Sequence, residues 1–357
     1  MAKELAHFQN FAKLKDTKVA FNDITVIAGK PGIGKSYVMK FMYAVDESLR
    51  LWQKSAENVP DELEKLLKEH SDGGVKIKSA LVDIFKNQLE KRYDLNTTDT
   101  LFNILKSIFT NLEQISTNFN INFNEDLVSY TSKSLTTTLD NINISNSVVF
   151  VETPLIIEFH NHMDRREAKT PYHIESLLNI LDTDYSFTDN EQDKLIKEFS
   201  PKVNSIIGGD IKNRNGSFVF SRNDDKEYNI FNASSGTKSI GLLQYLVTNK
   251  ALKKGSVLYW EEPEVHLHPE WQLRMIELFV ELMNAGVKIV FSTHSPYMCD
   301  YLNAISKKQK FSDRVSFNLF EEKEGIVENH ILENQKDWNK IQAELLDPLE
   351  EIMWEYV

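Results

Sequence analysis

The sequence predicts an α/β fold built around a parallel sheet. Three observations predict it. Short apolar runs alternate with stretches of helical spacing, the arrangement that wraps helices over a parallel sheet. Ser147–Val151, Ser256–Trp260 and Val287–Ser292 are such runs, nearly continuous in apolar residues, as strands covered on both faces are. A fourth apolar run, Ile24–Ala28, leads into Gly29-Lys30-Pro31-Gly32-Ile33-Gly34-Lys35-Ser36, and helix-compatible residues Tyr37–Ala44 follow. That is a complete G-x-x-x-x-G-K-[ST] pattern in a strand–loop–helix setting.

Taken in order, residues 5–28 read as two or three short strands that end at the glycine-rich loop. From about Leu49 to Lys91 the chain is charged and helically spaced, as at Leu63, Leu66 and Leu67 and again at Leu81, Ile84 and Phe85. Ser71 to Gly74 breaks that stretch into two helices. Leu101, Ile104, Leu105 and Ile108 predict a further helix over Thr98–Leu112. Residues 116–146 are rich in Asn, Ser and Thr, and Phe119, Ile121 and Phe123 alternate, which predicts short strands and loops. Ser147–Ile157 is strand-like and interrupted at Pro154. A polar helix is expected over about 172–200. A hairpin-like section then runs from Val203 through Ile211 to Ser217–Ser221, with Asn215-Gly216 near the turn. Trp338, Ile341, Leu345, Leu349, Ile352, Met353 and Tyr356 share one helical face, expected to pack on the chain's own core.

The length, 357 residues, suits one large domain with an insertion, or two domains. The formal net charge of −12 argues against a broadly basic nucleic-acid surface, although charge can segregate locally. Cys299 is the only cysteine. An intramolecular disulfide and a multi-cysteine zinc site are therefore excluded, which fits a reducing cytosol. No apolar run approaches the roughly 20 residues that span a bilayer. The N-terminal residues lack the apolar core of a signal peptide. The expectation is a cytoplasmic protein without a membrane partner.

The chemistry-bearing residues form four groups. In the glycine-rich loop, backbone N–H groups from Gly29 to Ser36 can turn toward phosphate oxygens, Lys35 adds a positive charge, and the Ser36 hydroxyl can ligate Mg²⁺. An apolar strand ends in the adjacent carboxylates Glu261 and Glu262, followed by Pro263-Glu264-Val265-His266-Leu267-His268. One carboxylate there can hold hydrated Mg²⁺ and the next can polarise a water, since strand alternation points neighbours to opposite sides. Ser234, Ser235 and Gly236 precede a helical run, which makes an anion site at a helix N-terminus. His294 lies just beyond a buried strand and could hydrogen-bond a terminal phosphate.

Together, and in this order, the four groups resemble the ATP-binding cassette (ABC) ATPases, most closely the soluble branch with SMC, RecF and OLD-type proteins. Gly29–Ser36 resembles the Walker A motif, Ser234-Ser235-Gly236 the signature, Glu261-Glu262 the Walker B pair, and His294 the switch histidine. The resemblance implies a P-loop ABC ATPase head: core at 1–50 and 147–335, a mainly helical insertion at 51–146, and a C-terminal helix at 336–357. It implies ATP and Mg²⁺ as cofactors and a homodimer closed through ATP. Gly29, Lys30, Pro31, Gly32, Ile33, Gly34, Lys35 and Ser36 would bind nucleotide with Ser234, Ser235 and Gly236 of the second copy. Ser36 and Glu261 would bind the metal, while Glu262, His294 and Lys35 would act in catalysis.

Two departures from the family pattern stand out. Walker B usually ends Asp-Glu, and the extra methylene of Glu261 alters its approach to a tight octahedral ion, which implies slow hydrolysis. Ser235 stands where the signature often has glycine. No glutamine fits the Q-loop position, where Glu152 or Glu158 would have to serve. The insertion is too short for a coiled-coil rod, and the residues after His294 are too few for a Toprim nuclease domain. Stand-alone cassettes of this kind resemble the ATPase components of bacterial antiphage systems, which implies a separate effector, a nuclease or a toxin. A RecF-like ATPase that clamps DNA, and a nucleotide-binding scaffold with little hydrolysis, are the alternatives.

Overall fold

A computed structural model describes residues 4–57, 97–109, 112–123, 126–131, 134–139, 145–160, 170–183, 190–214, 216–332 and 335–345. The helices expected around Leu63 to Phe85 and the positions Leu349 to Tyr356 lie outside the described residues. The N-terminal strands β1 (Glu4–Phe11) and β2 (Leu14–Phe21) form an antiparallel hairpin, and β3 (Ile24–Gly29) follows, every residue buried. Helix α1 (Lys35–Glu57) leaves the glycine-rich loop. Next come α2 (Thr97–Ile108), α3 (Leu112–Ile115), β4 (Asn118–Phe123), β5 (Asp126–Thr131) and β6 (Ser134–Thr138).

Beyond α1, helices α2 and α3 and the short strands expected over 116–146 make up the described part of the insertion. Its last three strands extend the N-terminal hairpin into one five-stranded antiparallel sheet, in the order β2-β1-β4-β5-β6. The reason is a shared apolar face. Alternation buries Ala6 and Phe8 on β1 and Phe119, Ile121 and Phe123 on β4, Phe11 joins them past the positive-φ Asn10, and these close against Phe41 of α1. The rings of Phe11 and Phe119 meet edge-on, 5.1 Å between centroids.

The second half supplies β7 (Ser147–Val151), α4 (Ile156–Phe159), α5 (Tyr172–Asp182) and α6 (Asn190–Ile207). Val203–Ile207 is thus the last turn of α6 and not strand. Phe199 and Val203 are buried on one helical face, and the helix stops at Gly208, whose φ of +71° suits glycine and whose N–H bonds Asn204 O at 2.8 Å. The expected hairpin begins one residue later, as β8 (Gly209–Arg214) and β9 (Ser217–Arg222), and a short β10 (Glu227–Asn229) completes a three-stranded antiparallel sheet.

The remaining elements alternate strand and helix: α7 (Ser235–Thr248), β11 (Ser256–Glu261), α8 (Pro269–Asn284), β12 (Lys288–Thr293), α9 (Pro296–Lys308), β13 (Val315–Lys323), β14 (Ile326–Ile331) and α10 (Gln335–Leu345). They complete a six-stranded sheet in the order β14-β13-β3-β12-β11-β7, parallel except at β14. Pairings Glu261↔Ser292 and Thr293↔Ala28 bring the C-terminal ends of β11, β12 and β3 level. All the candidate Walker A, Walker B and switch residues sit at that edge, where open α/β sheets bind ligands.

The one described turn run of the C-terminal helix packs inward. Trp338 and Ile341 are buried, the Trp338 ring meets Phe317 edge-on at 4.8 Å, and its Nε1–H donates to Asp300 at 2.7 Å. On the same helix Glu344 reaches Lys30 of the glycine-rich loop at 3.2 Å.

Candidate functional site

Strand β3 delivers the chain to the loop, and Gly29 makes the departure possible. Its φ is +138°, and a Cβ there would lie 2.5 Å from the Phe320 carbonyl oxygen on β13. Any side chain would force the two strands apart. The loop then closes on α1, whose first N–H groups lack partners within the helix and whose first turn contains no acidic residue. Such an end suits an anion.

Lys35 points back across the loop. It is buried, and its Nζ donates to Gly29 O at 2.9 Å and Lys30 O at 2.8 Å. Burial lowers its pKa to about 8, against the opposing pull of Glu262, Glu264 and Glu261. A phosphate at this spot would restore the solvation that burial removed.

The two candidate Walker B carboxylates face different partners. Glu261, still in the strand, turns toward α1: the Ser36 hydroxyl hydrogen-bonds it, and Lys40 Nζ stands 4.0 Å away. Glu262 has left the strand with a φ of +45° and faces β12, where its Oε1 meets His294 Nε2 at 2.7 Å. Lys35 Nζ lies against the same ring, 3.2 Å from Nε2 and 3.5 Å from Nδ1. Lys35, His294 and Glu262 therefore form one continuous chain of contacts across three elements.

The Mg²⁺ expectation can be tested on the donor set. Glu261 Oε1 is buried without a hydrogen-bond partner, beside a serine hydroxyl. A hydroxyl and an unsatisfied carboxylate oxygen are hard oxygen ligands of the kind Mg²⁺ takes, so the residues fit the ion. Burial pushes the Glu261 carboxyl up to about 7. Only the ionised carboxylate binds a cation, so affinity rises as pH climbs through 7. From pH 6 to pH 8 the ionised fraction grows from about a tenth to about nine tenths, and the Mg²⁺ needed for half-maximal nucleotide binding should fall about tenfold. In Glu261→Gln only the titration of the nucleotide itself should remain; an unaltered profile in that variant would remove Glu261 from the metal site.

Three groups near the site carry no motif. Lys40 lies four residues after Ser36, on the same face of α1, and its Nζ donates to Glu152 Oε1 at 3.1 Å. His173 on α5 meets the other Glu152 oxygen at 2.6 Å. The His173 hydrogen bond, then Lys40, holds the Glu152 carboxyl down to about 2. Of the two carboxylates weighed for the Q-loop position, Glu152 thus stands at the end of β7 beside the Lys40–Glu261 pair. Glu158 pairs instead with Lys238 on α7, in a buried ion pair. The third group, Glu264, accepts the His294 backbone N–H at 2.6 Å. The spacing of Lys40 from Ser36 was a signal available in the sequence. For His173 there was none, because nothing local ties α5 to β7.

Ser234, Ser235 and Gly236 open α7. The Ser234 hydroxyl caps that helix by accepting from Thr237 N–H at 3.1 Å. Gly236 is buried against Trp271 and the His266 carbonyl. Among the described residues no hydrogen bond or ion pair joins these three to the glycine-rich loop. They stand apart from Lys35, His294 and Glu262 within one copy.

A match to the family AAA_21, described as "AAA domain, putative AbiEii toxin, Type IV TA system", spans residues 24–300, from β3 into α9. The chain belongs to this family. Its AAA_21 region contains all four motif groups. Among solved structures, the SMC head bound to the C-winged helix domain of ScpA is similar with a TM-score of 0.51 and 12% identity, covering 95% of this chain and 100% of that one. The SMC head domain from Thermotoga maritima has a TM-score of 0.47 and 11% identity, covering 94% and 100%. An SMC head with an extended coiled coil, bound to the C-terminal domain of ScpA from Pyrococcus furiosus, has 0.49 and 13%, covering 96% and 98%. At such identities the likeness of the first speaks for the fold, which is that of an SMC-type ABC ATPase head. No curated protein matches the chain.

Proposed function

We propose that this AAA_21 chain is an ATP-hydrolysing switch that closes as a homodimer around two ATP molecules. The Lys35–His294–Glu262 chain of contacts at the C-terminal edge of the sheet carries this reading. Gly29 to Ser36 hold the phosphates, and Lys35 neutralises their charge. Ser36 and Glu261 hold Mg²⁺, which when bound draws electrons from the terminal phosphate. Glu262 takes a proton from the attacking water. His294 hydrogen-bonds the γ-phosphate, a contact that is lost once the bond between the γ-phosphorus and the departing ADP oxygen breaks and phosphate leaves. Ser234, Ser235 and Gly236, which do not reach their own loop, complete the site of the second copy.

The γ-phosphate thus favours the closed dimer by contacts that only ATP supplies. Such a cycle suits the control of a separate effector, a nuclease or toxin, in antiphage defence. The toxin–antitoxin description of the family supports that direction, as does an SMC head solved with a bound partner domain. The net charge of −12 weighs against the DNA-clamping alternative. Among the described residues no helix is long and apolar enough to cross a membrane, and the cytosol is the compartment proposed.

Light scattering behind size exclusion tests the switch. ATP with Mg²⁺ should double the mass of the chain, and ADP should leave it unchanged; equal mass under both conditions would overturn the dimer reading. Affinity capture from the native host, with wild type beside Lys35→Ala, tests the effector. A stoichiometric protein altered by the substitution supports the reading, whereas nuclease-sensitive DNA alone supports the clamp.

A further inference from the structure

The turn after β11 holds the loop after β12 at more than one point. Glu262 Oε1 meets the His294 ring at 2.7 Å. Two residues on, Glu264 Oε1 accepts the backbone N–H of the same His294 at 2.6 Å. On α8, Gln272 Oε1 accepts from Ser295 Oγ at 2.6 Å. The turn is itself braced, since Val265 N–H donates to Glu262 O at 3.0 Å and Leu267 N–H to Glu264 O at 2.9 Å. On its other side it packs against the signature helix: a methyl built on Gly236 would come within 3.3 Å of His266 O and 3.2 Å of the Trp271 ring.

Strand β12 ends at Thr293, so the ladder offers the His294 N–H no partner, and the Glu264 carboxylate takes that place. This is an expensive way to satisfy one N–H. Glu264 Oε2 is buried with no close hydrogen bond, the Thr293 hydroxyl and the residue's own N–H standing only near the carboxylate, and burial outweighs them in raising its pKa. A half-satisfied buried carboxylate lowers stability. Fold stability alone does not account for it.

We propose that Glu264 is a positioning residue for hydrolysis. It fixes the His294 backbone so that the ring stays within reach of Glu262 and Lys35, and it ties that loop to the turn packed on Gly236. The inference rests on the ATPase reading of the site. Glu264 makes no hydrogen bond to Lys35 or to the glycine-rich loop and acts on Lys35 only through space, less than Glu262 does, so its removal should act mainly on kcat and little on ATP binding.

Single-turnover and steady-state hydrolysis, with a separate titration of ATP affinity, test this. Glu264→Ala should lower kcat about 10- to 100-fold, the scale of a misplaced catalytic group, with ATP affinity kept within about threefold. Glu264→Gln, which keeps an acceptor oxygen at the same reach, should retain turnover within about threefold. Glu264→Asp keeps the charge but withdraws the oxygen by one methylene, and should lose at least about fivefold; it serves as the test if the alanine variant does not fold. In a His294→Ala background, Glu264→Ala should cost nothing further, because it acts through His294. Additive losses in that background, equal losses for Gln and Ala, or wild-type turnover in Asp and Ala would each overturn the proposal. A wild-type chain that binds ATP and never hydrolyses it would instead overturn the ATPase reading beneath it.

Discussion

Glu262→Gln should cut ATP turnover by about 100- to 1,000-fold, the range expected on loss of a general base, and should leave an ATP-bound dimer that persists. Gln has nearly the shape of Glu, and its carbonyl can still accept the His294 Nε2–H that Glu262 Oε1 meets at 2.7 Å. The geometry around His294 and Lys35 therefore survives, and only the capacity to take a proton is lost. Glu262 makes no hydrogen bond to the glycine-rich loop, and losing its charge beside Lys35 does not weaken the site for an anion, so ATP affinity should not fall by more than about threefold. Phosphate release measures the first effect, and size exclusion with ATP and Mg²⁺ measures the second. Turnover equal to wild type would show that another group activates the water.

Lys35→Ala should act one step earlier and lower ATP affinity by about 100-fold or more, roughly 2.7 kcal/mol from a lost charge-assisted contact. Two terms add here. The ammonium no longer meets the phosphates. In addition, Glu261, Glu262 and Glu264, all close enough to pull on the Lys35 pKa, lose their shared cation and turn the site more negative toward an anion. Stability should change less than affinity, because burial already costs this lysine much of its hydration. Fluorescence titration with a labelled ATP reads the affinity, and thermal melting reads the stability. Undiminished ATP binding would mean that the glycine-rich loop is not the nucleotide site.

Much of this was readable in the chain because the signals are local. Gly29 to Ser36 announce a phosphate loop by residue type and spacing within a single strand–loop–helix. Continuous apolar runs at Ile24–Ala28, Ser256–Trp260 and Val287–Ser292 announce buried parallel strands, and all three lie in the central sheet. The separation of Glu261 from Glu262 follows from strand alternation, sharpened by the left-handed turn at Glu262.

The rest was either non-local or locally ambiguous. Residues 118–138 alternate like any short strands, and nothing within them says that they pair with β1, more than a hundred positions earlier. Val203–Ile207 is apolar enough for strand or helix, and the helix is decided by the burial of Phe199 and Val203 on one face.

The sequence by itself determined the residue types of the phosphate loop, the strands that carry it, and the acidic pair and histidine that face it. These are properties of neighbours a few positions apart, fixed by backbone geometry and hydrophobic period. Only the tertiary structure decided that His294 bridges Lys35 and Glu262, that Lys40 and His173 hold Glu152 beside Glu261, and that Glu264 anchors the loop of His294. Those contacts form between different strands and helices, so they depend on strand order and register, which the packing of distant apolar faces sets and which no local pattern encodes.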